Sequence, residues 1–183
     1  TSQITTDGKK NAIINGITDW VYEEEFAFVR AFDWSADSKK LAFIRFDESQ
    51  VPEFSMNIFQ KDLYPSVETF KYPKAGEKNA EVSLHIYNVR SNASKQINLG
   101  NYSDFYIARM KWTNDANILS AQVLNRHQDN LDLIFVDGNS GVAKIVLNEK
   151  DKAYVDVTDN LTFLKDNSFI WTSEKDGFNH IYL

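Results

Sequence analysis

Trp34-Ser35-Ala36-Asp37-Ser38-Lys39-Lys40-Leu41-Ala42-Phe43 reads as a β-hairpin: an aromatic, a polar turn carrying an Asp, then an apolar strand. The pattern returns at Trp112-Thr113-Asn114-Asp115-Ala116-Asn117-Ile118-Leu119-Ser120 and at Phe163-Leu164-Lys165-Asp166-Asn167-Ser168-Phe169-Ile170-Trp171. Each time the Asp stands three residues after the aromatic, where its carboxylate can accept from backbone amides of the turn. A second unit alternates with the first. Leu84-His85-Ile86-Tyr87-Asn88-Val89 leads through a polar turn to Gln96-Ile97-Asn98-Leu99. Leu133-Ile134-Phe135-Val136 leads through Asp137-Gly138-Asn139-Ser140-Gly141 to Ala143-Lys144-Ile145-Val146-Leu147, and His180-Ile181-Tyr182-Leu183 begins a third copy. Tyr87, Phe135 and Tyr182 lie 48 and 47 residues apart. Four short strands recurring at that spacing predict the blades of a β-propeller, and the helical periodicity of an α-solenoid is missing.

The first blade is too long for its repeat. Asp115 to Phe135 spans 20 residues and Asp166 to Tyr182 spans 16, whereas Asp37 to Tyr87 spans 50. An insertion of about 30 residues therefore lies at about 47–79. Within it Phe54, Met56 and Ile58 alternate with polar residues, and a second strand-like run covers Val67 to Tyr72. This predicts a two-stranded arm. A lone hairpin is marginal in water, so its apolar residues Phe54, Met56, Ile58, Phe59, Leu63, Tyr64, Phe70 and Tyr72 need a cover. That cover is either a second protomer or the arm's own propeller.

The expected fold is thus all-β: a partial β-propeller of about two complete four-stranded antiparallel blades with flanking parts. Residues 1–31 are expected to end a preceding blade and to carry an acidic stretch, 32–99 to form a blade with the arm, 100–149 a second blade, and 150–183 the start of the next. Closed propellers need at least four blades. Further blades are expected on both sides.

Composition narrows the partners. The chain of 183 residues has 26 acids against 20 bases, a formal charge of −6, and no basic stripe, which argues against nucleic acid. No apolar run reaches membrane-spanning length. Cysteine is absent, which removes disulfides and thiolate metal sites. There is no Gly-rich phosphate loop and no Gly-x-Ser-x-Gly nucleophile elbow, and no cofactor is expected. His85 and His180 occupy the same place in the repeat, in a His-Ile-Tyr triplet, and read as structural; His127 sits in a polar loop.

One stretch falls outside the repeats. Gly16-Ile17-Thr18-Asp19-Trp20-Val21-Tyr22-Glu23-Glu24-Glu25-Phe26 sets four acids among large aromatics. A bare Glu triplet is often only a solvated helix end. Here aromatics on both sides would hold the backbone still, and neighbouring carboxylates on a short helix or turn could both accept from one ammonium. A hard metal ion ranks below an amine, because calcium loops space their ligands whereas these acids are adjacent. Asp19 and Glu23 are expected to make local hydrogen bonds.

The Asp-Trp-Val-Tyr-Glu-Glu-Glu core resembles the glutamate motif of the dipeptidyl peptidase IV family. Trp34-Ser35 with its hairpin, Phe46-Asp47 through Val51-Pro52, Tyr72-Pro73-Lys74-Ala75-Gly76, Asp166-Asn167-Ser168-Phe169 and His180-Ile181 follow the family's order. The resemblance implies a serine exopeptidase that removes Xaa-Pro or Xaa-Ala dipeptides from peptide amino termini, with an eight-bladed propeller over an α/β-hydrolase domain. It implies that Glu24 and Glu25 hold the substrate's ammonium, and that the arm from about Pro52 to Pro73 contributes to a homodimer interface. The family's catalytic triad belongs to the hydrolase domain and has no counterpart here, so this segment is expected to be inactive alone. An arginine that helps hold the substrate carbonyl would precede Thr1. Missing cysteines, and Phe26-Ala27-Phe28-Val29 after the acids, depart from mammalian members and point to a bacterial relative exported to the periplasm or cell surface. Two other readings stay open: a propeller that only binds partner proteins, and another peptidase of the prolyl oligopeptidase superfamily.

Overall fold

The computed structural model describes all residues from Thr1 to Leu183. Its strands, in chain order, are β1 (Ile13–Asn15), β2 (Phe32–Trp34), β3 (Lys40–Asp47), β4 (Glu53–Ile58), β5 (Ser66–Lys71), β6 (Glu81–Asn88) and β7 (Ala93–Gln96), then β8 (Phe105–Trp112), β9 (Ile118–Asn125), β10 (Asn130–Asp137), β11 (Ala143–Lys150), β12 (Thr162–Phe163), β13 (Phe169–Ser173) and β14 (His180–Tyr182). One short helix, α1 (Trp20–Glu25), interrupts them. No helix is long and apolar enough to cross a membrane.

The strands form three consecutive antiparallel sheets and one detached hairpin. The first sheet runs β1-β3-β6-β7 with β2 also on β3, the second β11-β10-β9-β8, and the third β12-β13-β14. All three expected hairpins are present, pairing Trp34 with Leu41, Trp112 with Leu119 and Phe163 with Phe169. Their Asp residues organise the turns as the spacing implies. Asp37 Oδ1 accepts from Lys39 N at 3.2 Å, Asp115 Oδ1 from Asn117 N at 2.8 Å, and Asp166 Oδ1 from Ser168 N at 3.1 Å. The insertion is the β4–β5 hairpin, with Phe54 opposite Phe70.

One boundary moves. Ile13–Asn15 do not end a preceding blade: they pair with Arg45–Asp47, while β2 pairs with Leu41–Phe43 farther along the same edge of β3. The first strand of this blade is therefore split in two. Ile44 bridges the gap, taking the Gly16 N–H at 3.0 Å and giving its own N–H to Ala31 O at 2.9 Å. The residues between leave the blade and return, and α1 lies within that excursion. The sequence hid this, because three residues are too few to show a strand's alternation.

The middle strands β3, β9 and β10 are buried along most of their length, whereas β7 is exposed throughout. A continuous core runs from Ile44, Phe46 and Leu84 through Ile107, Leu124 and Leu133 to Leu161 and Trp171. Polar latches join the sheets. The Trp112 indole donates to Asp33 O at 3.0 Å, and the Trp171 indole donates to Glu149 Oε1 at 3.0 Å. Each indole thus reaches the preceding sheet, satisfying a ring N–H that burial would otherwise strand.

Candidate functional site

The α1 excursion is narrow at its neck. Thr18 N donates to Val29 O at 3.1 Å, Thr18 Oγ1 donates to Phe28 O at 3.0 Å, and Ile17 bridges Arg30. Asp19 then caps the helix, its Oδ1 accepting from Tyr22 N at 3.0 Å. This is the preferred N-cap chemistry, and it confirms the local role expected of Asp19. Ala27, at φ 55°, turns the chain back beyond the C-terminal end. A left-handed alanine is uncommon, and no residue pattern announces it.

Tyr22 anchors the helix from below. It is almost fully buried, and its Oη accepts the Ile107 N–H at 2.9 Å, tying α1 to the second sheet. Its ring packs on Phe26, Phe28, Phe46 and Tyr106 at centroid distances of 5.1, 5.7, 4.8 and 6.1 Å. Burial pushes its phenol well above its ordinary range. Glu23, Glu24 and Glu25 are all exposed. None of them is within ion-pairing distance of a basic side chain. Glu23 differs from expectation: it is exposed, and its carboxylate forms no local hydrogen bond. The helix therefore presents unneutralised carboxylates on a rigid base. No group of three or more His, Asp or Glu side chains is arranged to hold a metal ion.

Two buried acids sit at the foot of the helix, and one of them, Glu48, carries no sequence signal. Asp19 and Glu48 are 7% and 6% exposed. Burial pushes the Asp19 carboxyl up to about 6, against the pull of the Tyr22 N–H. Burial also raises Glu48, the Asp19 charge raises it further, and Lys71 opposes the rise. Lys71 itself donates to Val51 O at 2.8 Å and stands 3.5 Å from Glu53. Charged residues at a strand end and in an arm read as solvated in one dimension; only the closed structure brings them together.

The arm divides into two parts. At its base, Tyr72 lies against Trp20 of α1 with ring centroids 4.3 Å apart, and also contacts Phe54 and Phe70. At its tip, Phe59, Leu63 and Tyr64 are 74%, 89% and 80% exposed. Phe54 and Met56 are partly exposed, while Ile58 and Phe70 are half-buried. The base thus folds back on its own chain and the tip does not. Between arm, α1 and second sheet opens a cleft of about 860 Å³ whose walls include Trp20, Glu25, Phe54, Tyr72 and Arg126.

His85 and His180 stay apart from this region. His85 stacks on Phe43 at 5.1 Å and pairs with Ser83 Oγ at 2.9 Å, and burial lowers its pKa. His180 faces Asp176 at 3.7 Å on the surface. A second groove, of about 350 Å³, holds Arg30, Asp33, Arg109 and Asp159, but its arginines are matched: Arg30 pairs with Asp33 at 3.3 Å and Arg109 with Asp159 at 2.6 Å.

The model of the dipeptidyl peptidase IV (DPP IV) N-terminal region matches residues 1–183, the whole chain. The chain belongs to this family. Its backbone superimposes on Porphyromonas gingivalis dipeptidyl peptidase 4 with a TM-score of 0.95 at 47% identity, covering 99% of this chain and 26% of that one. A putative dipeptidyl aminopeptidase IV from Bacteroides ovatus matches with a TM-score of 0.84 at 29% identity, over 97% of this chain and 25% of that one. Among curated proteins, a probable dipeptidyl-aminopeptidase B of Talaromyces marneffei is 32% identical over 98% of this chain and 23% of its own length. The dipeptidyl aminopeptidase B of Saccharomyces cerevisiae is 30% identical over 97% of this chain and 24% of its own. The chain thus spans about a quarter of each relative. Its sheets are blades of an all-β propeller of this family, open rather than closed on themselves.

Proposed function

We propose that this chain is the amine-recognising part of a serine-type dipeptidyl aminopeptidase, in which Glu24 and Glu25 receive the ammonium group of a peptide's first residue. One observation carries the reading: adjacent, exposed carboxylates without basic partners stand on a helix that Tyr22 locks into the core. An ammonium offers three N–H donors, and charge-assisted bonds to carboxylates are the strong kind. Holding the amino terminus at a fixed place sets how many residues reach a distant nucleophile, which is how an exopeptidase measures a dipeptide. Cleavage after Pro or Ala in the second position, and the nucleophile itself, belong to a hydrolase domain of the parent enzyme. The exposed tip residues Phe59 and Tyr64, with Phe54, Met56, Ile58, Phe70 and Tyr72 behind them, are proposed to serve a homodimer contact. The likeness to proteins of Porphyromonas gingivalis and Bacteroides ovatus supports a bacterial source, and action in the periplasm or at the cell surface is proposed with it.

The test is turnover of Xaa-Pro amides by the full-length parent enzyme. Glu24→Ala and Glu25→Ala should each cut kcat/KM by 100-fold or more, on the order of 3 kcal/mol of lost transition-state binding. Unchanged turnover in either variant would remove that residue from the amine-binding role.

A further inference from the structure

The family resemblance names carboxylates but not what aims them. Six residues are too few for a self-supporting helix, since isolated helices below about 12 residues are marginal in water. The direction of the acidic side must come from tertiary contacts on its flanks. Tyr22 supplies one flank, through the second sheet. The other is the arm.

We propose that Trp20, through its stack on Tyr72, is a positioning residue for Glu24 and Glu25, so that the base of the arm sets the angle at which the two carboxylates meet an incoming ammonium. The proposal rests on the amine-anchor reading above. Residues four apart on a helix lie on one face, so Trp20 sits one turn below Glu24 and moves with it. Its ring centroid is 4.3 Å from that of Tyr72, the shortest ring spacing in the molecule. Tyr72 is well braced. Its N–H donates to Pro52 O at 3.0 Å, the neighbouring Lys71 ammonium donates to Val51 O at 2.8 Å, and its ring meets Phe54 at 5.6 Å. The two strands of the arm are thereby clamped where they leave the blade, and the clamp holds the surface that the indole rests on. Glu25, Trp20 and Tyr72 wall the same cleft, so the arm and one of the two carboxylates border one space.

The experiment uses the full-length parent enzyme with two substrates: a dipeptide amide, and its analogue in which hydrogen replaces the terminal amine. Trp20→Ala and Tyr72→Ala should raise KM for the amine substrate about tenfold, leave kcat within about twofold, and leave kcat/KM for the des-amino analogue unchanged. Trp20→Phe and Tyr72→Phe keep an aromatic stack and should restore most of the KM. Thermal midpoints of all four variants are measured alongside, and the Phe variants carry the comparison if an Ala variant does not fold. Equal losses on both substrates would reduce the stack to general packing and overturn the proposal. An unchanged KM in Trp20→Ala and Tyr72→Ala, with Glu24→Ala and Glu25→Ala still crippled, would overturn it while leaving the amine anchor standing. If Glu24→Ala and Glu25→Ala are themselves harmless, the anchor reading fails, and this proposal with it.

Discussion

Asp19 is a carboxyl group buried at the foot of α1, and Asp19→Asn should stabilise the chain at pH 8 while changing little at pH 4. Burial moves its pKa from 3.8 to about 6. At about 1.36 kcal/mol for each unit, holding the ionised form in the fold costs about 3 kcal/mol. The folded pKa lies above the unfolded one, so the fold binds this proton more tightly. The favourable contribution is complete below about pH 4 and is lost as pH rises through about 6. Asparagine removes the charge and keeps the cap, because Asn and Asp are near-equal acceptors for a first-turn N–H such as that of Tyr22. At 7% exposure there is little solvent to screen the effect. Allowing for relaxation around the site, the gain at pH 8 should be about 2–3 kcal/mol, shrinking to a few tenths at pH 4. For a chain of this size that corresponds to roughly 5–10 °C in thermal midpoint. The assay is urea or thermal unfolding of the parent and variant chains in steps from pH 4 to 8. A variant less stable than its parent at pH 8, or a gain that does not shrink towards pH 4, would refute the assignment of a buried ionised carboxylate here.

Two further substitutions probe how the site is held. Tyr22→Phe strips the acceptor from the buried Ile107 N–H and should cost about 1–3 kcal/mol in denaturant unfolding; an unchanged midpoint would mean that Ile107 finds another acceptor. Gly138→Ala would place a Cβ 2.9 Å from the Trp112 ring and 3.2 Å from Lys40 Cδ, overpacking the junction of the first two blades by about 1–3 kcal/mol. Shrinking the ring with Trp112→Phe should recover part of that loss, and strict additivity in the double-mutant cycle would count against the clash.

Much of the architecture is local, and so it could be read in one dimension. Each hairpin is coded within about ten residues by an aromatic, an Asp that accepts turn amides, and an apolar strand, and each is present. The arm was legible for a different reason: the blade repeat is regular enough for an excess of about 30 residues to stand out. The three residues of β1 were not legible. They become a strand only because the edge of β3 beyond Ile44 offers them partners.

The same division runs through the site. The order of residues determined by itself that the acids stand on a short helix or turn and that Asp19 bonds locally, because such a bond is a contact over three residues. It determined also that the triplet is flanked by rings able to fix it. What only the tertiary structure decided is where that helix points. Tyr22 finds Ile107, 85 positions away in the chain, and Trp20 finds Tyr72 at the root of the arm. Asp19 and Glu48 come to share one buried corner in the same way. Such contacts depend on how strands from separate blades stack, and burial of a charge is a property of the closed fold rather than of any neighbouring residue.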